Sequence, residues 1–362
     1  MKPKFYNLQN ILAKSAQYNV IFGERSNGKT YAVLKYAVFR FAKDGEQLAI
    51  IRRWQDDFTG KRGATMFDAL VSNGEVEKAT HGEWTGIYYY GSRWWFCRYD
   101  DEGKRINSET PFAYGFAIST QEHDKSTSYP KITTILFDEF LTRTAYLPDE
   151  FVLFMNLLST IIRHRKDVKI FMLGNTVNRY CPYFKEMGLT HVKDMKPGSI
   201  DVYRYGDSDL IVAVEYTLSN KEGKESDSYF AFDNPKLSMI TGGAWEIDIY
   251  PHCPIKFAPK DIVFIYFIEF AGDLLQCEVV CKDEYNFTFI HRKTTPLKDT
   301  ENDLIYTPEY SARPNYRRKI TKPKTEIERK ITEHYLLDKV FYSDNETGEI
   351  VRNYLIWCGK TA

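Results

Sequence analysis

Apolar and polar positions in the first 220 residues alternate between two periods. Val20-Ile-Phe is a short apolar run. Tyr31 to Lys43 then places Val33, Leu34, Ala37, Val38 and Phe41 at the three-to-four spacing of one helix face, stopped by Gly45. Gln47 to Ile51, Ile132 to Phe137, Lys169 to Leu173 and Leu210 to Tyr216 read as buried strands. Pro148-Asp-Glu opens a helix through Phe151, Phe154, Met155, Leu158 and Ile162. Strands that alternate with helices predict an α/β fold whose mostly parallel sheet is covered on both faces. Between residues 80 and 120 the period becomes two. Trp84 to Tyr99 alternates around Gly91-Ser92 and Pro111 to Ser119 adds a third strand, so an inserted antiparallel flap is expected.

The last third has a different pattern. Ile262 to Glu269 and Leu274 to Val280 alternate around Ala271-Gly272, and Phe287 to His291 follows, which predicts an antiparallel meander. A helix is expected from Thr325 to Phe341, and a closing hairpin around Gly348. The expected division is 1–200 for the first domain with its flap, 201–255 for a linker region containing the polar Ser219 to Ser228 segment, and 256–362 for a smaller α+β domain.

Composition adds limits. With 362 residues, 43% hydrophobic and 15% aromatic, the chain has enough apolar surface for more than one core. A formal net charge of +0 means that any nucleic-acid contact must come from local patches. With no apolar leader and no run of about 18 apolar residues, a soluble intracellular protein without a membrane partner is expected. The cysteines 97, 181, 253, 277, 281 and 358 lack metal-site spacing and read as reduced core thiols.

Gly23-Glu-Arg-Ser-Asn-Gly28-Lys29-Thr30 is a complete G-x-x-x-x-G-K-[ST] phosphate loop between a strand and a helix. Gly23 and Gly28 let the backbone wind so that N–H groups, those of Arg25 and Asn27 among them, face phosphate oxygens. Lys29 reaches the β and γ oxygens, and the Thr30 hydroxyl suits Mg²⁺. ATP and Mg²⁺ are the expected cofactors. Asp138 and Glu139 end an apolar strand, where α/β sheets present ligands. Asp138 suits the metal, and Glu139, pointing to the other side of the strand, suits polarising a water. Asn175, closing the next strand, is the candidate γ-phosphate sensor. Arg52 and Arg53 end the earlier strand on the same edge, where either could face the nucleotide or stabilise the loop. Arg163, His164 and Arg165 fall in the expected last turn of the 148–162 helix, where basic residues also offset the macrodipole. Arg313, Arg317, Arg318, Lys319, Lys322 and Lys324 form a basic run that is either a phosphate-binding surface or simply solvated.

Taken in order, Gly23 to Thr30, Ile51-Arg52-Arg53, Thr134 to Phe140, Arg163-x-Arg165 and Gly174-Asn175 make the chain resemble the genome-packaging (encapsidation) ATPases of small short-tailed phages, relatives of large terminase subunits. Phe5-Tyr6-Asn7, Lys43 to Gln47 and Lys125-Ser-x-x-Tyr-Pro130 add to the match, which is good over the N-terminal half and loose beyond. The resemblance implies a P-loop NTPase of the additional-strand type, a homo-oligomeric ring, commonly of five subunits, and docking on the portal vertex of an empty capsid in the host cytoplasm. Double-stranded DNA is the implied cargo, and a structural packaging RNA is a further candidate partner. Arg163 then lies where the family has an arginine finger acting on the neighbouring subunit. Lys125, Arg165 and Arg52 are candidate trans-acting or sensor residues. Arg317, Arg318, Lys319 and Lys322 are candidate nucleic-acid contacts. A degenerate RNase H-like fold is the implied form of the C-terminal domain. The alternative is an active nuclease, for which Glu269 and Asp273 are available but a full carboxylate set is not evident.

Overall fold

The computed structural model describes residues 5–120, 127–143, 146–218, 245 and 249–360. The chain divides into two compact units, Met1–Glu246 and Ile247–Ala362. No helix among the described residues is long and apolar enough to cross a membrane.

In the first unit the strands are β1 (Tyr18–Gly23), β2 (Gln47–Arg52), β3 (Gly86–Tyr90), β4 (Arg93–Tyr99), β5 (Arg105–Asn107), β6 (Ala113–Ala117), β7 (Ile132–Asp138), β8 (Lys169–Asn175), β9 (Ile200–Arg204) and β10 (Ile211–Tyr216). They form one sheet in the order β3-β4-β6-β2-β7-β8-β1-β10-β9, with β5 on β4. The run from β6 to β10 is parallel, and both ends of the sheet are antiparallel. Two long helices cover its faces, α1 (Lys29–Asp44) and α2 (Glu150–Ile162). Strand alternation assigns the sides: Val20, Phe22, Ile135 and Phe137 join Phe154, Leu157, Leu158 and Ile161 of α2, whereas Ile21 and Leu136 join Val33, Leu34, Ala37 and Val38 of α1. Each large aliphatic or aromatic side chain buried this way contributes about 1.5–3 kcal/mol relative to solvent exposure.

Three expectations change here. Leu210 to Tyr216 forms the expected strand, β10, beside β1, and β9 pairs with it, so residues 201–216 lie within the first sheet and outside any linker region. The hairpin β3–β4 turns at Gly91-Ser92 as expected, but β6 pairs in parallel with β2, so the region extends the main sheet instead of forming a separate flap. α2 ends at Ile162, and Arg163 adopts φ +51°, so the three basic residues lie past the last turn.

The second unit has a six-stranded mixed sheet of β11 (Ile262–Phe270), β12 (Asp273–Lys282), β13 (Tyr285–Arg292), β14 (Ile305–Tyr306), β15 (Tyr316–Arg317) and β16 (Val340–Tyr342), in the order β15-β14-β11-β12-β13-β16. β11 to β13 are the expected meander. The helices are α3 (Glu326–Leu336), whose N-cap Thr325 accepts from Glu328 N, and α4 (Asn345–Lys360). α3 stops before Phe341, which lies in β16. The expected hairpin at Gly348 is the interior of α4, nucleated by Asp344, whose Oδ1 accepts from Thr347 N at 2.8 Å. All six cysteines are free; Cys281 is exposed and Cys253 half-buried, so only the other four are core thiols.

Candidate functional site

Gly23 ends β1 opposite Asn175 at the end of β8, and Asp138 ends β7 opposite Leu173, so the carboxyl ends of three neighbouring strands form one rim. Gly23 has φ +150°, and a Cβ there would lie 2.1 Å from Thr217 Oγ1, so both conformation and space require glycine. Gly28, φ +91°, is the N-cap of α1. Between them Asn27 is buried. Its Nδ2 donates to Thr217 Oγ1 at 2.9 Å, and its Oδ1 accepts from Lys29 Nζ at 3.2 Å. Lys29 Nζ also donates to Glu24 O at 2.6 Å and Asn175 Oδ1 at 3.4 Å. Burial draws the Lys29 ammonium down to about 8, against the opposing pull of Asp138 and Glu24.

Thr30 Oγ1 donates to Asp138 Oδ1 at 3.2 Å. Burial raises the Asp138 carboxyl above its ordinary value, while the Arg52 guanidinium acts the other way. Arg52 Nη2 donates to Asp138 Oδ2 at 2.7 Å and Nη1 to Glu139 Oε2 at 3.0 Å. Glu139 was expected to point away across the strand. Instead β7 ends at Asp138, and the left-handed backbone of Glu139, φ +61°, brings its carboxylate onto the same guanidinium. The Thr30 hydroxyl and Asp138 carboxylate are adjacent hard oxygen donors, the set that suits Mg²⁺ when phosphate oxygens and waters complete an octahedron.

Arg53 anchors the segment that follows the acids. Its Nε and Nη2 reach both oxygens of buried Glu150, at 2.7 and 2.9 Å, and Nη2 donates to Phe140 O at 3.0 Å. Tyr183 OH and Leu147 N donate to the same carboxylate at 2.9 and 2.7 Å. The start of α2, the end of β2 and the segment after the acids are thereby joined.

Other expected residues lie apart from this convergence. Arg163 donates to Thr127 O at 3.1 Å, and Arg165 to Tyr129 O, Pro130 O and Ile161 O at 3.1 to 3.2 Å, so both hold the strand-leading 127–130 segment. Arg25 is an exposed residue of the loop. Lys125 lies outside the described residues. The basic run of the second unit is less open than expected. Arg317 pairs with buried Glu328 at 2.9 Å, Arg318 lies 3.8 Å over the Tyr310 ring, and Lys319 is buried, with its ammonium lacking a hydrogen-bond partner. Arg313, Lys322 and Lys324 are the exposed cations of that run.

Sequence reasoning missed Thr217, Tyr6 and Glu215. Thr217 N donates to Phe22 O at 2.9 Å. Tyr6 N donates to Asn27 O at 3.0 Å, and Tyr6 OH to Glu215 Oε2 at 2.6 Å. The N-terminal segment and the end of β10 thus brace the loop from outside. The one signal for Tyr6 was its place in Phe5-Tyr6-Asn7.

The family described as podovirus DNA encapsidation protein (Gp16) matches residues 1–82 and 102–204. The DNA packaging protein of Bacillus phage phi29 is 31% identical over 186 residues, 51% of this chain and 50% of that protein, and the one from Bacillus phage B103 is 30% identical over 174 residues, 47% and 48% respectively. The chain thus spans about half the length of the curated relatives it matches. Two solved structures share its fold. The phi-28 gp11 DNA packaging motor, at 18% identity and TM-score 0.55, covers 100% of this chain and 99% of its own. The bacteriophage phi-29 genome packaging motor assembly, at 21% and 0.53, covers 96% of each. A family match extending over half of the chain, including every residue of the converging rim except the Thr217 and Glu215 brace, places it: this protein belongs to the podovirus DNA encapsidation (Gp16) family.

Proposed function

We propose that this protein is the ATPase of a viral DNA-packaging motor, coupling Mg-ATP hydrolysis in a homo-oligomeric ring to translocation of double-stranded DNA into a preformed capsid. The observation that carries the reading is the meeting of Lys29, Thr30, Asp138 and Asn175 on one sheet rim in a chain of this family. β8, inserted between β1 and β7, supports the additional-strand type of P-loop fold. In this reading the loop amides and Lys29 bind the triphosphate, Thr30 and Asp138 hold Mg²⁺, which neutralises the β and γ oxygens when bound, and Asn175 senses the γ-phosphate. Glu139 orients and deprotonates the attacking water once Arg52 releases it. Arg163 is supplied to the neighbouring subunit, Lys125 belongs to a segment that acts across the same boundary in the family pattern, and a five-membered ring on the portal vertex of the prohead is the assembly they imply. The meander of the second unit supports a degenerate RNase H-like domain. Among the described residues no cluster of three or more His, Cys, Asp or Glu side chains could hold a metal there, and Asp273 is engaged by Arg292 at 3.8 Å. Arg318, Lys322 and their neighbours remain candidate nucleic-acid contacts.

The decisive experiment is hydrolysis measured with DNA, with empty capsids and with both. Strong stimulation by the pair together is expected for a packaging motor, and equal rates in all conditions would rule it out. Glu139→Gln should bind ATP and not turn it over. Undiminished hydrolysis by that variant would refute the assignment of the base.

A further inference from the structure

Thr217 lies beyond residue 204, where the family match ends, yet its side chain is buried against the phosphate loop at two points. β10 pairs in parallel with β1 as far as Phe22 and Tyr216, so the next residue comes alongside Gly23, and Thr217 N donates to Phe22 O at 2.9 Å. The Thr217 hydroxyl fills the space that a Cβ on Gly23 would need. Packing alone does not account for a hydroxyl there. Valine has the same branched shape, and a buried hydroxyl costs free energy unless it is hydrogen-bonded.

Its partner is the buried side chain of Asn27. An asparagine amide carries an acceptor and a donor of nearly equal size, so its neighbours decide which end faces which way. On one side of Asn27 lie two groups that can only donate, Lys29 Nζ at 3.2 Å and Lys29 N at 3.3 Å, and that end is therefore the oxygen. The amide nitrogen then donates to Thr217 Oγ1 at 2.9 Å, and the hydroxyl accepts. The Lys29 ammonium has three protons and meets three acceptors, Glu24 O, Asn27 Oδ1 and Asn175 Oδ1, which together fix its direction. With the Asn27 amide turned over, a second donor would face the ammonium and one of the three acceptors would be lost.

We infer that Thr217 is a positioning residue for triphosphate binding. By accepting from Asn27 Nδ2 it holds Asn27 Oδ1 toward Lys29, and so sets where the ammonium meets the β and γ oxygens. This role presupposes the proposed nucleotide site, and it runs through Asn27, whereas a general brace of the loop would act whatever side chain residue 27 carried.

The full-length protein is titrated with a fluorescent ATP analogue, alongside Thr217→Val, Thr217→Ser, Asn27→Ala and the double variant Thr217→Val/Asn27→Ala. Absence of binding by the native protein would refute the nucleotide site itself, whatever Thr217 does. Given native binding, Thr217→Val is expected to weaken affinity by about tenfold or more, because Asn27 Nδ2 loses its acceptor. Thr217→Ser keeps the acceptor and should stay within about threefold of the native protein, and Thr217→Val should change affinity by less than about twofold once Asn27 is replaced by alanine. Melting temperatures identify the folded variants. Should Thr217→Val not fold, Thr217→Ala removes the same hydroxyl without adding bulk and carries the same comparison. Native affinity in the folded variant lacking the hydroxyl would overturn the inference. So would failure of Thr217→Ser to retain affinity, or an equal loss with and without the Asn27 side chain.

Discussion

Lys29 carries a titration that reaches the working pH range. Its ammonium, drawn down to about 8 by burial, is charged below that pH and neutral above it. A triphosphate binds the charged form, so affinity falls by about tenfold for each unit above pH 8. Titration with a fluorescent ATP analogue should give binding about tenfold weaker at pH 9 than at pH 7, and a guanidinium in the Lys29→Arg variant should flatten the profile. Arg52 makes a second prediction. It bridges two adjacent carboxylates, and Arg52→Gln leaves them uncompensated. Millimolar Mg²⁺ alone should raise the melting temperature of that variant more than that of the native protein, because the divalent cation replaces the missing charge. At this scale the loop and the acids were legible because their spacing is local. Thr217 was not, since it meets Asn27 across 190 residues of sequence, and a lone threonine after a strand carries no mark of that contact.

At the scale of elements, the bond between strand and helix is electrostatic as well as apolar. Glu150, at the first position of α2, is fully enclosed and receives Arg53, Tyr183 and Leu147. Glu150→Ala strands a buried guanidinium and is expected to cost about 3–5 kcal/mol in urea unfolding, with a matching loss of nucleotide binding because the Glu139–Phe140 backbone loses its anchor. A cost below about 1 kcal/mol would show that the network is dispensable. The parallel core was readable because short continuous apolar runs, buried on both faces, alternate with period-3.6 helices. The last helix was not. Gly348 looked like a turn residue, yet a Cβ there would lie 2.2 Å from the Tyr250 ring, so the glycine provides room for an aromatic neighbour inside a helix. Likewise, five residues of β6 gave no hint that they pair in parallel with β2, a register fixed by tertiary packing.

For the whole molecule, the prediction concerns neighbours. In the proposed reading Arg163, which follows α2 at φ +51°, is given to an adjacent subunit, a contribution worth about 10³–10⁵ in rate. Arg163→Ala subunits mixed with Lys29→Ala subunits should recover hydrolysis wherever an intact Lys29 faces an intact Arg163. A mixture no more active than the sum of its parts would show that Arg163 acts within its own chain. The basic run was visible as charge, but the enclosure of Lys319 and the pairing of Arg317 with Glu328 on the following helix arise from tertiary packing that composition does not encode. The insertion of β8 between β1 and β7 has a consequence for biogenesis. As the polypeptide leaves the ribosome, the strand bearing the phosphate loop emerges first and has no lateral partner until β8 and then β10 are made, on the order of ten seconds or more later. Until then its unpaired edges are open to wrong partners, so translation speed through this stretch bears directly on the yield of correctly folded protein.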